Sequence, residues 1–150
     1  MFINIAICDD EDVICSKLEV LLQKLAAERE YDYSIDIYND GRKLCDAVKD
    51  NVYDLIFLDI EMPVMDGYEM VKRIRELDGD IPILFTSGRV SPKDVVKGYE
   101  IGANNYIKKP FIPEELDAHV HALLKLSKGE KSKDTSQCYK IGKEYVLDAT

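Results

Sequence analysis

The stretch Leu55-Ile56-Phe57-Leu58-Asp59 constrains this chain more than any other. Four apolar residues run without a break into one carboxylate. A short run with no polar residue on either side of the pleat reads as a strand covered on both faces, as in a parallel sheet packed between helices. Asp59 then stands at the carboxyl end of a central strand, where open α/β sheets bind their ligands. An Asp at such a place also caps turns. Whether Asp59 carries chemistry therefore depends on what the other strands deliver beside it.

The first strand is Phe2 to Cys8, and it ends in Asp9-Asp10-Glu11-Asp12. Acids favour the first turn of a helix, which accounts for Glu11 and Asp12. Asp9 and Asp10 are harder to explain this way, because adjacent carboxylates at a strand end repel one another unless a cation offsets them. Oxygen donors with no His or Cys nearby suit a hard ion, Mg²⁺ before Zn²⁺. A helix follows over residues 13–30, with Val13, Ile14, Leu18, Leu21, Leu22 and Leu25 at helical spacing. Residues 33–38 alternate as a less buried strand, Asn39-Asp40-Gly41 turns, and residues 42–50 form a short helix.

After the central strand, Met62-Pro63 breaks the chain and Asp66-Gly67 turns it into a helix over residues 68–77, with Met70, Val71 and Ile74 inward. The fourth strand, residues 81–87, ends in the hydroxyls of Thr86 and Ser87. Ser91-Pro92 opens a helix to about Glu100, which Gly98 weakens by about 1 kcal/mol relative to Ala. A short strand, Tyr106-Ile107, leads into Lys108-Lys109-Pro110, where the proline holds Lys109 extended. The last helix starts at Pro113 and turns Leu116, Val120, Leu123 and Leu124 inward and His121 outward. Residues 1–127 thus form one domain. Residues 128–136 are polar and Ser-containing, as a linker is, and residues 137–150 read as the opening of a further domain.

Five strand–helix units in strict alternation mean a doubly wound, five-stranded parallel sheet with helices on both faces. The ends of the first, third, fourth and fifth strands converge on one edge and bring Asp9, Asp10, Asp59, Thr86 and Lys109 together. Three acids, a hydroxyl and a lysine suit phosphoryl transfer: acids hold Mg²⁺, one acid attacks phosphorus, and the lysine offsets charge on the phosphoryl oxygens. The net charge of −9 argues against a nucleic-acid surface within these residues. Cys8, Cys15, Cys45 and Cys138 have no metal-like spacing and read as reduced thiols of a cytoplasmic protein. No stretch approaches a membrane-spanning length.

With these motifs in hand, residues 3 to 126 resemble the receiver domain of two-component response regulators, a flavodoxin-like fold. The resemblance implies a protein that accepts a phosphoryl group from a sensor histidine kinase and is not a turnover enzyme. Asp59 would be the phosphoacceptor, and Asp9, Asp10, Asp59 and the backbone carbonyl of Glu61 would hold Mg²⁺. Lys109 would bind the phosphoryl group. Thr86 would move toward it as the switch hydroxyl, and Tyr106 would turn inward behind Thr86.

The segment from Gly102 to Phe111 with Pro113-Glu114-Glu115-Leu116, and the tail from Tyr139 to Asp148, resemble winged-helix (OmpR-type) transcription regulators. DNA contact would then belong to a C-terminal effector domain. The first half also resembles LytR/AlgR-type regulators, and a stand-alone receiver is a further alternative. OmpR-type dimers form through ion pairs across the face of the fourth helix, fifth strand and fifth helix. Val95 and Asn105 carry no charge where a basic residue and an Asp are usual, and His119 replaces an Arg. A homodimer through this face is therefore expected to be weak or to use other contacts. The Glu61 side chain, beside the phosphoryl site, could hinder or position attacking water. A flavodoxin-type module fits poorly, since Asp9 and Asp10 would repel a phosphate. A haloacid dehalogenase-type phosphatase fits poorly because Glu61 and Pro63 replace its second Asp and its hydroxyl.

Overall fold

The computed structural model describes residues 2–62, 65–88 and 92–128. Strands and helices alternate as β1 (Phe2–Cys8), α1 (Asp12–Arg29), β2 (Asp32–Tyr38), α2 (Gly41–Asp50), β3 (Leu55–Asp59), α3 (Gly67–Leu77), β4 (Ile83–Ser87), α4 (Pro92–Ile101), β5 (Asn105–Lys108) and α5 (Pro113–Lys128). The sheet has five strands in the order β2-β1-β3-β4-β5, and every pair is parallel. α5 takes in Lys128, one residue past the boundary expected for the domain. The expected linker beyond it and the opening of a further domain lie outside the described residues.

Period-two alternation sorts the core into two layers. Ile3, Ile5 and Ile7 of β1 and Leu55 and Phe57 of β3 pack with Leu18, Leu22 and Leu25 of α1 and Leu116, Val120 and Leu123 of α5. Their neighbours Ala6, Cys8, Ile56 and Leu58 face the other way, against Leu44 and Val48 of α2 and Met70, Val71 and Ile74 of α3. All five residues of β3 are buried, as expected for a strand covered on both faces. β2 mixes buried, half-buried and exposed positions because it lies at the sheet edge.

Two expectations about helix faces fail. Val13 is 65% exposed, and the buried stripe of α1 begins at Cys15 instead. Pattern alone cannot separate these positions, which lie two residues apart at the start of the same helix. His121 is half-buried rather than solvent-facing, and its Nδ1 is buried without a hydrogen-bond partner among the described residues. It stands one turn after Asp117, which pairs with Arg29 of α1 at 2.8 Å and brings α1 against that side of α5.

The end of the sheet away from Asp59 is held by Arg75 of α3. Its guanidinium donates to the carbonyl oxygens of Ile81 (2.7 Å) and Gly102 (2.8 Å) and to Asn104 Oδ1 (3.0 Å). These bonds fasten the starts of β4 and β5 to α3, and so fix the heights at which Thr86 and Lys109 emerge. Burial pulls the Arg75 guanidinium below its ordinary pKa, while the nearby acids Asp78 and Asp80 oppose the shift.

Candidate functional site

Strand register brings the site together. Cys8 pairs with Leu58, Asp59 with Thr86, and Ser87 with Lys108. Asp9 and Lys109 each follow one residue later, so four strand ends point at one place. Carboxylate oxygens of Asp9, Asp10 and Asp59 all lie within 4.8 Å of one another. Asp9 and Asp59 are buried, at 2% and 5% exposure, while Asp10 is open to solvent.

Lys109 neutralises the buried pair. Its Nζ donates to Asp9 Oδ2 at 2.8 Å and to Asp59 Oδ1 at 3.2 Å. Burial pulls the ammonium down, but the hydrogen bond to Asp9 and the charges of Asp59 and Asp9 outweigh it, so Lys109 stays above its ordinary pKa. Burial, then the Asp9 charge, push the Asp59 carboxyl up to about 6, against the lowering pull of Lys109. A backbone hydrogen bond from Glu61 also favours the Asp59 carboxylate. The result is a buried carboxylate held beside the Lys109 ammonium, with two further acids at hand.

The loop after β3 is shaped by close approach. The Ile60 amide donates to the Thr86 carbonyl at 3.2 Å, and the Gly67 amide donates to the Ile60 carbonyl at 3.0 Å. A Cβ on Gly67 would stand 2.9 Å from both the Asp59 carbonyl oxygen and Ile60 Cα, so only glycine fits there. Asp66, just before it, caps α3 by accepting from the Glu69 amide at 2.9 Å.

Thr86 is buried, and its Oγ1 donates to the Leu58 carbonyl at 3.5 Å. Tyr106 is half-buried, its ring 5.4 Å from Phe85 and 6.1 Å from Tyr99. Its hydroxyl lies 3.4 Å from that of Tyr68. Asp9, Asp10, Asp59 and Lys109 thus meet in one cluster, Glu61 adjoins it through the backbone, and Thr86 flanks it in register. Tyr106 lies one layer behind, against Phe85, the residue before Thr86. Sequence reasoning missed Tyr68, which carries no motif and reads only as the start of a helix.

Residues 5–121 match the response regulator receiver domain family. The chain belongs to this family. As a receiver domain it is 36% identical over 141 residues to the transcriptional regulatory protein RprY of Bacteroides fragilis, covering 94% of this chain and 57% of that one. It spans little more than half the length of the curated relatives it matches. Among solved structures it is similar to the response regulator DrrB, a Thermotoga maritima OmpR/PhoB homologue. The TM-score there is 0.71 and the identity 28%, over 83% of this chain and 54% of that one. It is also similar to the receiver domain of a Pseudomonas aeruginosa sensor histidine kinase with a magnesium ion coordinated in its active site cleft. That match has a TM-score of 0.72 and 25% identity, over 83% of this chain and 98% of that one. No described helix of the receiver domain is long and apolar enough to cross a membrane.

Proposed function

We propose that this receiver domain takes a phosphoryl group from a sensor histidine kinase onto Asp59 and relays its presence to a DNA-binding effector domain. The observation that carries the reading is the cluster of Asp9, Asp10 and Asp59 oxygens within 4.8 Å, with Lys109 bridging Asp9 and Asp59. An Asp59 carboxylate oxygen attacks phosphorus, the P–O bond forms as the P–N bond of a phosphohistidine breaks, and the imidazole leaves with the electron pair. Lys109 offsets negative charge growing on the phosphoryl oxygens.

The donor set fits a divalent hard cation, since it is all oxygen and the cation bridging it is a lysine ammonium that can move aside. Asp9, Asp10, Asp59 and the Glu61 backbone carbonyl would hold Mg²⁺. When bound, Mg²⁺ supplies charge neutralisation between acids and phosphoryl oxygens. Thr86 then turns its hydroxyl to the new phosphoryl oxygens, and Tyr106 occupies the space behind it. The phosphoryl group favours one of two packings of the face made by α4, β5 and α5.

The similarity to RprY and to an OmpR/PhoB homologue supports transcription control through a winged-helix effector, joined by a linker after α5 and beginning near residue 137. The setting is cytoplasmic. The chemistry is a single acceptance and loss of phosphate, not turnover of a substrate.

Intact mass after incubation with acetyl phosphate tests the reading. One phosphoryl group is expected on the wild type with Mg²⁺, none without it, and none on Asp59→Asn. An adduct that persists in Asp59→Asn would place the acceptor elsewhere. Dimerisation is a separate matter. On the α4–β5–α5 face, Tyr99 donates to Asn105 Oδ1 at 3.1 Å within one chain, occupying a position where a cross-dimer acid is usual. Sedimentation of the beryllofluoride-loaded chain is expected to show no tight dimer through this face, and a tight dimer held by this face would contradict it.

A further inference from the structure

Gly98 is buried on α4, directly over the ring of Tyr106. A Cβ at this position would stand 2.7 Å from Tyr106 Cε2, 2.8 Å from its hydroxyl oxygen and 3.1 Å from Phe85 Cδ2. Such distances cannot be tolerated, and the closest atoms belong to the far end of a side chain that can rotate away. The neighbouring residue on α4, Lys97, places its Nζ 4.2 Å from the centre of the Tyr68 ring. That is within range of a cation–π attraction. Tyr68 in turn meets Phe85 edge-on at 5.5 Å, and its hydroxyl shares a hydrogen bond with that of Tyr106 at 3.4 Å. Tyr99 closes the remaining side at 6.1 Å. Tyr106 therefore sits in a cup whose floor is Phe85, whose roof is the bare backbone of Gly98, and whose far wall is Tyr68.

We propose that the half-buried position of Tyr106 beneath Gly98 is its inward seat, that Gly98 is the positioning residue that keeps this seat open and Tyr68 its latch, and that these two residues set how much of the unphosphorylated protein already holds Tyr106 inward. The seat is independent of the phosphoryl chemistry. Its coupling to Asp59 rests on the proposed switch, in which the phosphoryl group favours the inward arrangement. A two-state switch responds to its ligand through the population of the competent state. Closing the seat lowers that population and weakens ligand binding, although no residue touching the ligand has changed. Ala is a better helix former than Gly, so Gly98→Ala leaves α4 intact and acts on Tyr106.

The experiment uses the 150-residue chain with 3-fluorotyrosine incorporated, the Tyr106 signal being assigned by its loss in Tyr106→Phe. Solvent-isotope shifts of that signal report exposure of the ring. Beryllofluoride with Mg²⁺ is the second probe, titrated against the same proteins. In Gly98→Ala the Tyr106 signal is expected to move to a solvent-exposed position before any ligand is added, and beryllofluoride to bind about tenfold more weakly. Tyr68→Phe is expected to shift both readouts in the same direction, by about threefold in affinity. In a Tyr106→Val background Gly98→Ala is expected to leave the affinity unchanged, because nothing remains to be displaced.

An unmoved Tyr106 signal in Gly98→Ala overturns the seat. A moved signal with unchanged beryllofluoride affinity overturns its coupling to Asp59. A full loss of affinity that persists in the Tyr106→Val background assigns Gly98 to the shape of α4 alone, and also overturns the proposal. Failure of the wild type to take up beryllofluoride refutes the phosphoacceptor reading instead, and the fluorine spectra of the unliganded proteins then decide the seat alone.

Discussion

At pH 7 and without divalent cations, Asp59→Asn is expected to be more stable to urea than the wild type, by up to about 3 kcal/mol. The reason lies in the charge state of one buried group. Asp59 is 5% exposed, and burial together with the Asp9 carboxylate pushes it up to about 6 from an ordinary 3.8. Every tenfold loss of acidity on folding corresponds to about 1.4 kcal/mol of preference for the protonated form. Between pH 4 and 6 the folded chain holds a proton on Asp59 that the unfolded chain has released. Stability therefore falls as pH rises through that window, and the full penalty is present above it. Asn has nearly the same shape and no charge, so it removes the penalty. The two proteins are expected to converge as the pH is lowered to about 4 and below, where Asp59 becomes protonated in both states. A gap that stays constant across that range would mean that Asn acts through packing and that the charge of Asp59 is not strained. The variant that gains stability is the one expected to lose the phosphoryl adduct, which is the usual relation between a functional site and its fold.

The parts of this site that were legible in the sequence are those that topology alone positions. Asp9, Asp59, Thr86 and Lys109 each end or follow an apolar strand, and parallel strands end on one edge. Their meeting follows from counting strands, without knowledge of any side-chain angle. The two core layers follow from the same period, since Ile3, Ile5 and Ile7 must face opposite to Ala6 and Cys8. What was not legible depends on how one element lies against another. Val13 and Cys15 are both apolar residues in the first turn of α1, and only the seating of that helix on the sheet makes Cys15 the buried one. His121 lies one turn beyond Asp117, which Arg29 of α1 reaches, and its half-burial depends on how other elements lie against α5 rather than on its own position in the helix pattern. Tyr68 and Tyr106 are 38 residues apart, and their contact with each other and with Gly98 arises where α3 and α4 meet over β4. The same holds for Lys109. Its nearness to Asp59 was expected, but its bond to Asp9 makes it the shared counter-ion of two buried acids.

That pair of bonds makes Lys109→Met the most damaging single change in the site. Met fills similar space and withdraws the ammonium from Asp9 and Asp59, which are 2% and 5% exposed. Breaking a buried pair by removing one partner leaves uncompensated charge, and a loss of about 3–5 kcal/mol at pH 7 in metal-free buffer is expected. Three conditions should relieve it. Lowering the pH does so because Asp59, already raised to about 6 and now without its lysine, protonates more readily still. Adding Mg²⁺ does so because a ligand that binds only the folded acids stabilises the fold by mass action. Combining the change with Asp59→Asn does so because one charge of the repelling pair is gone, so the double variant is expected to be more stable than Lys109→Met alone. Strictly additive effects in that cycle would mean that Lys109 contributes through its aliphatic stem and not its charge. Phosphorylation by acetyl phosphate separates the chemical role from the structural one. At saturating Mg²⁺, where the fold is restored, the rate of adduct formation in Lys109→Met is expected to remain about 100-fold below the wild type, since the ammonium that offsets the phosphoryl charge is still missing. A wild-type rate under those conditions would confine Lys109 to holding the acids in place, and would leave the charge on the phosphoryl oxygens to the divalent cation.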